Sequence, residues 1–193
     1  MARSGIRLIV GLANPGKQYA HTRHNAGAWF LHKLALKQDL SLTSSSKCHG
    51  LLASYSFSNH SCYLLEPTTF MNHSGRSVRS AAHFYQLSPE QILVIHDELD
   101  FEPGVIRLKY GGGHGGHNGL RDIITELNTA DFYRLRIGIG HPGDRDQVTP
   151  YVLGQPDEMD KEKIFSSIVA GLPIVDDLIQ GDMEKAMRVL HGI

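Results

Sequence analysis

The stretch Ile6-Arg7-Leu8-Ile9-Val10-Gly11-Leu12-Ala13-Asn14-Pro15-Gly16 decides the fold class. Apart from Arg7, residues 6–12 are apolar without alternation. Such a run fits a strand buried on both faces, as in a central parallel sheet, and Asn14-Pro15-Gly16 ends it in a turn. Downstream, helix-like and strand-like segments alternate. A helix is expected over 26–38, with Trp29, Phe30, Leu34 and Leu36 available for the core. Residues 51–57 and 62–65 read as strands around a polar turn, after a Ser/Thr-rich loop at 41–46. Ser74 is placed to cap a helix reaching Gln86. Further strands are expected at 92–95, 105–109 and 133–139, a helix at 119–127 capped by Asn118, one long helix near 160–180 and a short one near 183–191. The pattern predicts an α/β fold: a single-domain three-layer sandwich with a twisted, mixed, largely parallel central sheet flanked by helices. The expected unit is 1–193, with 149–193 a helical C-terminal part packing beside or over the site.

The chain has 193 residues, 41% of them hydrophobic and 20% charged, which suits one domain with a real core. Two cysteines, Cys48 and Cys62, are too few for a disulfide scaffold, and both are expected reduced in a cytosol. The first apolar run is shorter than a signal-peptide core, and none approaches the roughly 20 residues that span a bilayer. A soluble, cytoplasmic protein is expected. Net charge is −1, but nine Lys+Arg face three Asp+Glu up to His96, and ten face seventeen from Asp97 onward. Contact with a polyanion must therefore be local.

Chemistry concentrates around Arg107-Leu-Lys-Tyr-Gly-Gly-Gly-His114-Gly-Gly-His117-Asn118-Gly-Leu-Arg-Asp122, where so many glycines indicate a loop shaped around a ligand. Arg107 and Lys109 precede it. The spacing of His114 and His117 raises a metal site, but a glycine-flanked pair lacks rigidity and a third ligand; no metal and no cofactor are expected. Residues 11–17 imitate a phosphate-binding loop, and Asp97 after an apolar strand imitates a magnesium ligand. This NTPase alternative is weakened by Gln18, which has no hydroxyl for a metal, and by Pro15, which removes a donor. The contrasting set is His24, Asn14, Asn72, Asp97 and His117-Asn118, all near strand ends or helix starts, where open α/β sheets bind ligands. Metal-free hydrolysis needs a base, a partner that fixes its tautomer, and donors for a developing oxyanion. With no nucleophile elbow and no placed cysteine, direct attack by water is favoured over a covalent acyl-enzyme.

Six blocks in order, Gly-Leu-Ala-Asn14-Pro-Gly, Tyr19 with Thr22-Arg-His24-Asn-Ala-Gly, Pro67-Thr-Thr-Phe70-Met71-Asn72-His-Ser-Gly, His96-Asp97-Glu-Leu-Asp, Gly-Gly-His117-Asn118-Gly-Leu and Phe132-Tyr-Arg-Leu-Arg136-Ile-Gly-Ile-Gly, together resemble bacterial-type peptidyl-tRNA hydrolase. The resemblance implies an enzyme that cleaves the ester between a nascent peptide and the 3′ end of tRNA. It implies His24 as the base activating water, Asp97 as its orienting partner, and Asn14 as the residue that helps distinguish blocked from free aminoacyl-tRNA. Tyr19, Phe70, Met71, Asn72, His117 and Asn118 would line the site. Lys109 and Arg136, with Arg107 nearby, would clamp the tRNA 5′ phosphate. The implied partner is peptidyl-tRNA and the implied state a monomer away from membranes. Ala13 departs from the glycine often found at that position, and the segment before Phe132 is a residue or two shorter than in some relatives.

Overall fold

The protein is described from a computed structural model covering residues 4–192. In chain order it runs β1 (Leu8–Gly11), α1 (Ala26–Lys37), β2 (Thr43–Ser45), β3 (Gly50–Phe57), β4 (His60–Pro67), α2 (Ser74–Phe84), β5 (Ile92–Glu98), β6 (Ile106–Tyr110), α3 (Asn118–Leu127), β7 (Tyr133–Gly138), α4 (Val148–Val152), α5 (Glu158–Gly171), α6 (Ile174–Gln180) and α7 (Met183–His191). The seven strands form one sheet in the order β2-β3-β4-β1-β5-β7-β6. The central four, β4-β1-β5-β7, are parallel, and both ends are finished by antiparallel partners.

The unalternating apolar run at the start of the chain is the middle of this sheet. Ile9 faces the core layer shared with α1, α5, α6 and α7, whereas Leu8 and Val10 face the layer shared with α2 and α3. Both faces of β1 are packed by apolar side chains, so a polar residue there would be buried without a side-chain partner. Helix–sheet–helix layering follows, as the sequence predicts.

Five local expectations change. Leu36 is 75% exposed, because the last turn of α1 presents it to solvent rather than to the sheet. Residues 43–45 of the expected loop pair with β3 as a short edge strand. Ser74 is not a cap: it is the first residue of α2, buried, with its hydroxyl donating to the Met71 carbonyl after a 3-10 turn at Met71–His73. Asn118 likewise opens α3, and the cap is His117, whose ring accepts the Leu120 N–H. The long C-terminal helix is two, α5 and α6, broken at Leu172-Pro173 because proline cannot donate in a helix interior and so starts a new one. A short helix, α4, precedes them. Cys48 and Cys62 are both free and buried.

Helix α1 approaches β1 and β5 closely at its first turn. A Cβ on Gly27 would lie 2.1 Å from the Ile95 carbonyl oxygen and 2.7 Å from the Leu12 nitrogen. That closeness sets the depth of the preceding 3-10 turn, Arg23–Asn25, against the sheet. Gly27→Ala is expected to cost about 1–3 kcal/mol through overpacking. A urea titration should show a lowered midpoint with an unchanged slope; a wild-type midpoint would contradict this packing.

Candidate active site

The carboxyl ends of the parallel strands gather the polar residues singled out in the sequence. β1 runs out into Asn14, β4 into the loop carrying Phe70, Met71 and Asn72, and β5 carries His96 and Asp97 inside its last turns of pleat. The Arg23–Asn25 turn brings His24 over β5, and the glycine loop delivers His117 from the other side.

Asp97 is the centre. Its side chain is 2% exposed, and His24 Nδ1 lies 2.9 Å from Oδ1 and 3.0 Å from Oδ2. His117 Nε2 lies 2.9 Å from the same Oδ1. An ionised carboxylate only accepts, so both ring nitrogens donate. The Leu120 N–H donates to His117 Nδ1 at 3.3 Å, which fixes the complementary tautomer of that ring. For His24, donation from Nδ1 leaves Nε2 as the accepting nitrogen. His24 is pulled down by burial, but the Asp97 charge and hydrogen bond more than offset this and hold it above the ordinary imidazole value. Burial alone would raise Asp97; the two imidazoles overcome it and hold the carboxyl well below the usual range. His96, whose Nδ1 donates to the Asp97 carbonyl at 2.7 Å, is buried and held neutral, pushed down to about 3 by burial first and by His117 next.

The other residues singled out in the sequence lie on the flanking turns, at the start of α3 and on the β6–β7 ribbon. Asn14 Oδ1 accepts the Met71 N–H at 2.8 Å, and Asn25 brackets the Asn14 backbone, donating to its carbonyl at 3.0 Å and accepting its N–H at 2.9 Å. Tyr19 meets Phe70 edge to face at 6.5 Å, with Phe70 54% exposed. Met71 is buried; Asn72 and Asn118 are exposed. Asn118 accepts from Arg121. On the antiparallel β6–β7 ribbon, Arg107 pairs with Arg136 and Lys109 with Arg134, placing four basic residues on one sheet face. Arg136 is loosely paired with Glu98 at 3.8 Å and lies over Phe101, whereas Arg107 is engaged by the Leu190 carbonyl at 3.2 Å. Arg134 and His96 were not singled out in the sequence. The alternation Tyr133-Arg134-Leu135-Arg136 is the signal that could have found Arg134.

The P-loop reading fails on geometry. After Gly16 the chain makes 3-10 turns at Lys17–Tyr19 and Arg23–Asn25, and α1 begins only at Ala26, so no helix N-terminus adjoins the glycine turn. Asp97 already holds two imidazoles rather than facing a phosphate loop. The His114–His117 pair is not a metal site either: His114 Nδ1 accepts the Gly116 N–H, while His117 points to Asp97. Among the described residues, the donors that could hold a metal are His24, Asp97 and His117, whose ligand atoms lie within 4.8 Å of one another. Coordination there would require displacing both protons now directed at the carboxylate.

A family profile described as peptidyl-tRNA hydrolase matches residues 8–192. The chain belongs to the peptidyl-tRNA hydrolase family. It is 57% identical over 188 residues to the peptidyl-tRNA hydrolase of Coxiella burnetii strain RSA 331, covering 97% of this chain and 98% of that one. It is 54% identical over 190 residues to that of Pseudomonas putida strain F1, covering 98% of each. The crystal structure of peptidyl-tRNA hydrolase from Acinetobacter baumannii superposes with a TM-score of 0.94 at 49% identity, covering 98% of this chain and 96% of that one. Among the described residues no helix is long and apolar enough to cross a membrane.

The imidazole–carboxylate group has signed consequences. Asp97→Asn removes what raises His24 and leaves burial unopposed, so the His24 titration followed by NMR should fall below 6.5; a value unchanged or higher would contradict the assignment. The linkage signs differ between the histidines. His24, raised on folding, stabilises below about 6.5 and loses that contribution as pH rises through its folded value. His96, lowered to about 3, destabilises the fold as pH falls from 6.5 towards 3, because only the unfolded chain takes up its proton. His96→Asn should flatten the acid side of a stability–pH curve, and an equally steep curve would contradict a neutral, buried His96.

Proposed function

We propose that this enzyme hydrolyses the ester joining a peptide to the 3′ end of tRNA, with His24 activating water directly and no metal taking part. The observation that carries the reading is the Nδ1–H of a nearly buried His24 directed at both oxygens of an ionised Asp97. That bond leaves Nε2 as the proton acceptor, raises its basicity and prevents the ring from turning over. Water held at Nε2 attacks the acyl carbon and passes its proton to the ring. The imidazolium formed is stabilised by Asp97, and its proton then goes to the departing ribose oxygen.

Asn14 suits the binding of the acyl group. Its Oδ1 is occupied by the Met71 N–H, so its amide NH2 remains to donate to a substrate carbonyl. Asn72 and Asn118 supply further amides at the rim, and Met71 packs beneath the Asn14 turn. Amides read peptide backbone, which every peptide has, and so permit many sequences. The exposed Phe70 ring with Tyr19 offers a stacking surface for an unpaired terminal base. Lys109 and Arg136 offer positive charge to the 5′ phosphate; Arg107, bonded to the end of α7, contributes mainly field. His117 acts by sharing Asp97.

The segment after β7 reaches the turn that carries His24 through Arg23. Arg23 donates to the Tyr151 carbonyl at 3.1 Å, stacks on the Tyr151 ring at 4.0 Å, and its N–H reaches the Gly154 carbonyl at 3.0 Å. Residues 148–154 are thereby docked beside the turn carrying His24 and are proposed to cover the site, while α5 to α7 pack on a sheet face as part of the same single domain. The proposed working state is a monomer in the cytoplasm, where peptidyl-tRNA occurs.

His24→Ala should lower kcat for peptide release from peptidyl-tRNA by about 10²–10⁴-fold, in EDTA as without it; near wild-type turnover would refute the base assignment, and abolition of wild-type activity by EDTA would refute the metal-free step. Lys109→Ala or Arg136→Ala should impair hydrolysis of full peptidyl-tRNA far more than of a short peptidyl-adenosine ester, which lacks the 5′ phosphate. Equal losses on both substrates would refute the clamp.

A further inference from the structure

We propose that Arg134 is a positioning residue: by clamping the glycine loop it fixes the hydrogen bond from His117 to Asp97 and so sets the basicity of His24. The inference rests on the catalytic reading above and extends it to a residue that touches no substrate.

Arg134 is 2% exposed. Its two terminal nitrogens donate to consecutive loop carbonyls, Nη1 to Gly113 and Nη2 to Gly112, each at 2.5 Å, and its guanidinium lies 4.7 Å from the centroid of the fully buried Phe132 ring. A fork reaching two carbonyls fixes both position and orientation, which a lysine ammonium cannot do. The loop can present these carbonyls because Gly111 and Gly112 have φ of 67° and 96°, open to glycine and strained for other residues. These turns fold the chain back over the basic face of β6 and β7, where a Cβ on Gly112 would lie 2.7 Å from Lys109 Nζ.

Beyond Gly113 little slack remains. The His117 N–H returns to the His114 carbonyl at 2.9 Å, and the Gly116 N–H to His114 Nδ1 at 3.0 Å. The next side chain is His117, on Asp97 Oδ1. Helix α3 holds it from the other side through Leu120. Arg134 is thus a sequence-distant side-chain anchor of a short tether, of which Gly113, Gly115 and Gly116 have open space around them.

The link to His24 is electrostatic. His117 and His24 share Oδ1 of one carboxylate, so a proton donated by His117 draws negative charge away from His24. Loosening His117 leaves Asp97 more fully to His24 and makes it more basic. The charged and titratable groups around His24 are Asp97 and His96 from β5, His117 from the loop, Arg23 on its own turn and Tyr151 from α4. The Arg134 charge disfavours protonation of His96, and the Glu98–Arg136 pair lies farther along β5 and β7. Arg134→Lys keeps the charge and most of the stem, so the loop clamp is what it removes.

The test is kcat and KM for peptidyl-tRNA from about pH 5 to about pH 9 in wild type, R134K, H117A and the double variant. R134K should lower kcat about tenfold with KM within about twofold, and should move the acid limb of kcat/KM to higher pH, the same direction as H117A. In the H117A background R134K should cost less than about twofold. Wild-type kinetics in R134K, an unmoved limb, or an undiminished loss in the H117A background would each overturn the proposal. Should R134K not fold, one glycine inserted between Gly115 and Gly116 slackens the same tether outside the core. It should reproduce the kcat loss and the limb shift, and wild-type kinetics there would overturn the proposal. A wild-type enzyme inert towards peptidyl-tRNA, or one indifferent to His24→Ala, would fail the catalytic reading instead.

Discussion

A carboxylate with its side chain 2% exposed is costly to keep ionised, and at Asp97 two imidazole N–H groups meet that cost. Neither donor is near it in sequence. His24 arrives from the turn before α1 and His117 from the loop before α3, so the charge is tolerable only when the connections leading into both helices are seated. Removing one donor leaves a buried charge half paired, which costs more than the bond itself contributed. The dependence runs the other way as well. Gly27 lets α1 press against the backbones of β1 and β5, and this brings His24 within reach. Fold and chemistry therefore share one constraint.

Around that centre the titratable groups divide by environment. His24 retains an accepting nitrogen with raised basicity, Asp97 stays charged, and His96, deeper and bonded to a backbone carbonyl, stays neutral. Different behaviour from adjacent side chains of similar type is the usual mark of a site arranged for proton transfer. The positive charge proposed to meet a polyanion lies on a separate surface, the β6–β7 ribbon, where antiparallel register puts Arg107, Lys109 and Arg136 on one face, while Arg134 on that face is buried under the glycine loop. The proposed base chemistry and the proposed electrostatic binding therefore rest on different residues, joined through the glycine loop.

Much of this was legible in the sequence because it depends on local rules. An unalternating apolar strand implies a doubly covered sheet, and β1 is covered on both faces. Residues at or just past the carboxyl ends of strands imply a shared crevice, and Asn14, Asp97 and the Met71 loop lie at the same edge of the sheet. What escaped depends on which partner a residue meets in space. Leu36 reads as core by composition, but its position on α1 turns it to solvent. Asn118 looks like the cap because asparagine favours that role, yet His117 holds it while also serving Asp97. Gly171 and Pro173 stood visible inside the expected long helix, but whether they would bend or break it depended on packing. The role of Arg134 requires knowing that the glycine carbonyls fold back onto its strand, a long-range contact that no periodicity reports.

The central claim is that Asp97 holds His24 in the form with Nδ1 protonated and Nε2 free to accept. The most direct measurement is the nitrogen-15 NMR spectrum of the His24 ring at a pH where it is neutral. The account predicts a protonated Nδ1 coupled to its hydrogen and an unprotonated Nε2; a ring carrying its proton on Nε2 would contradict it.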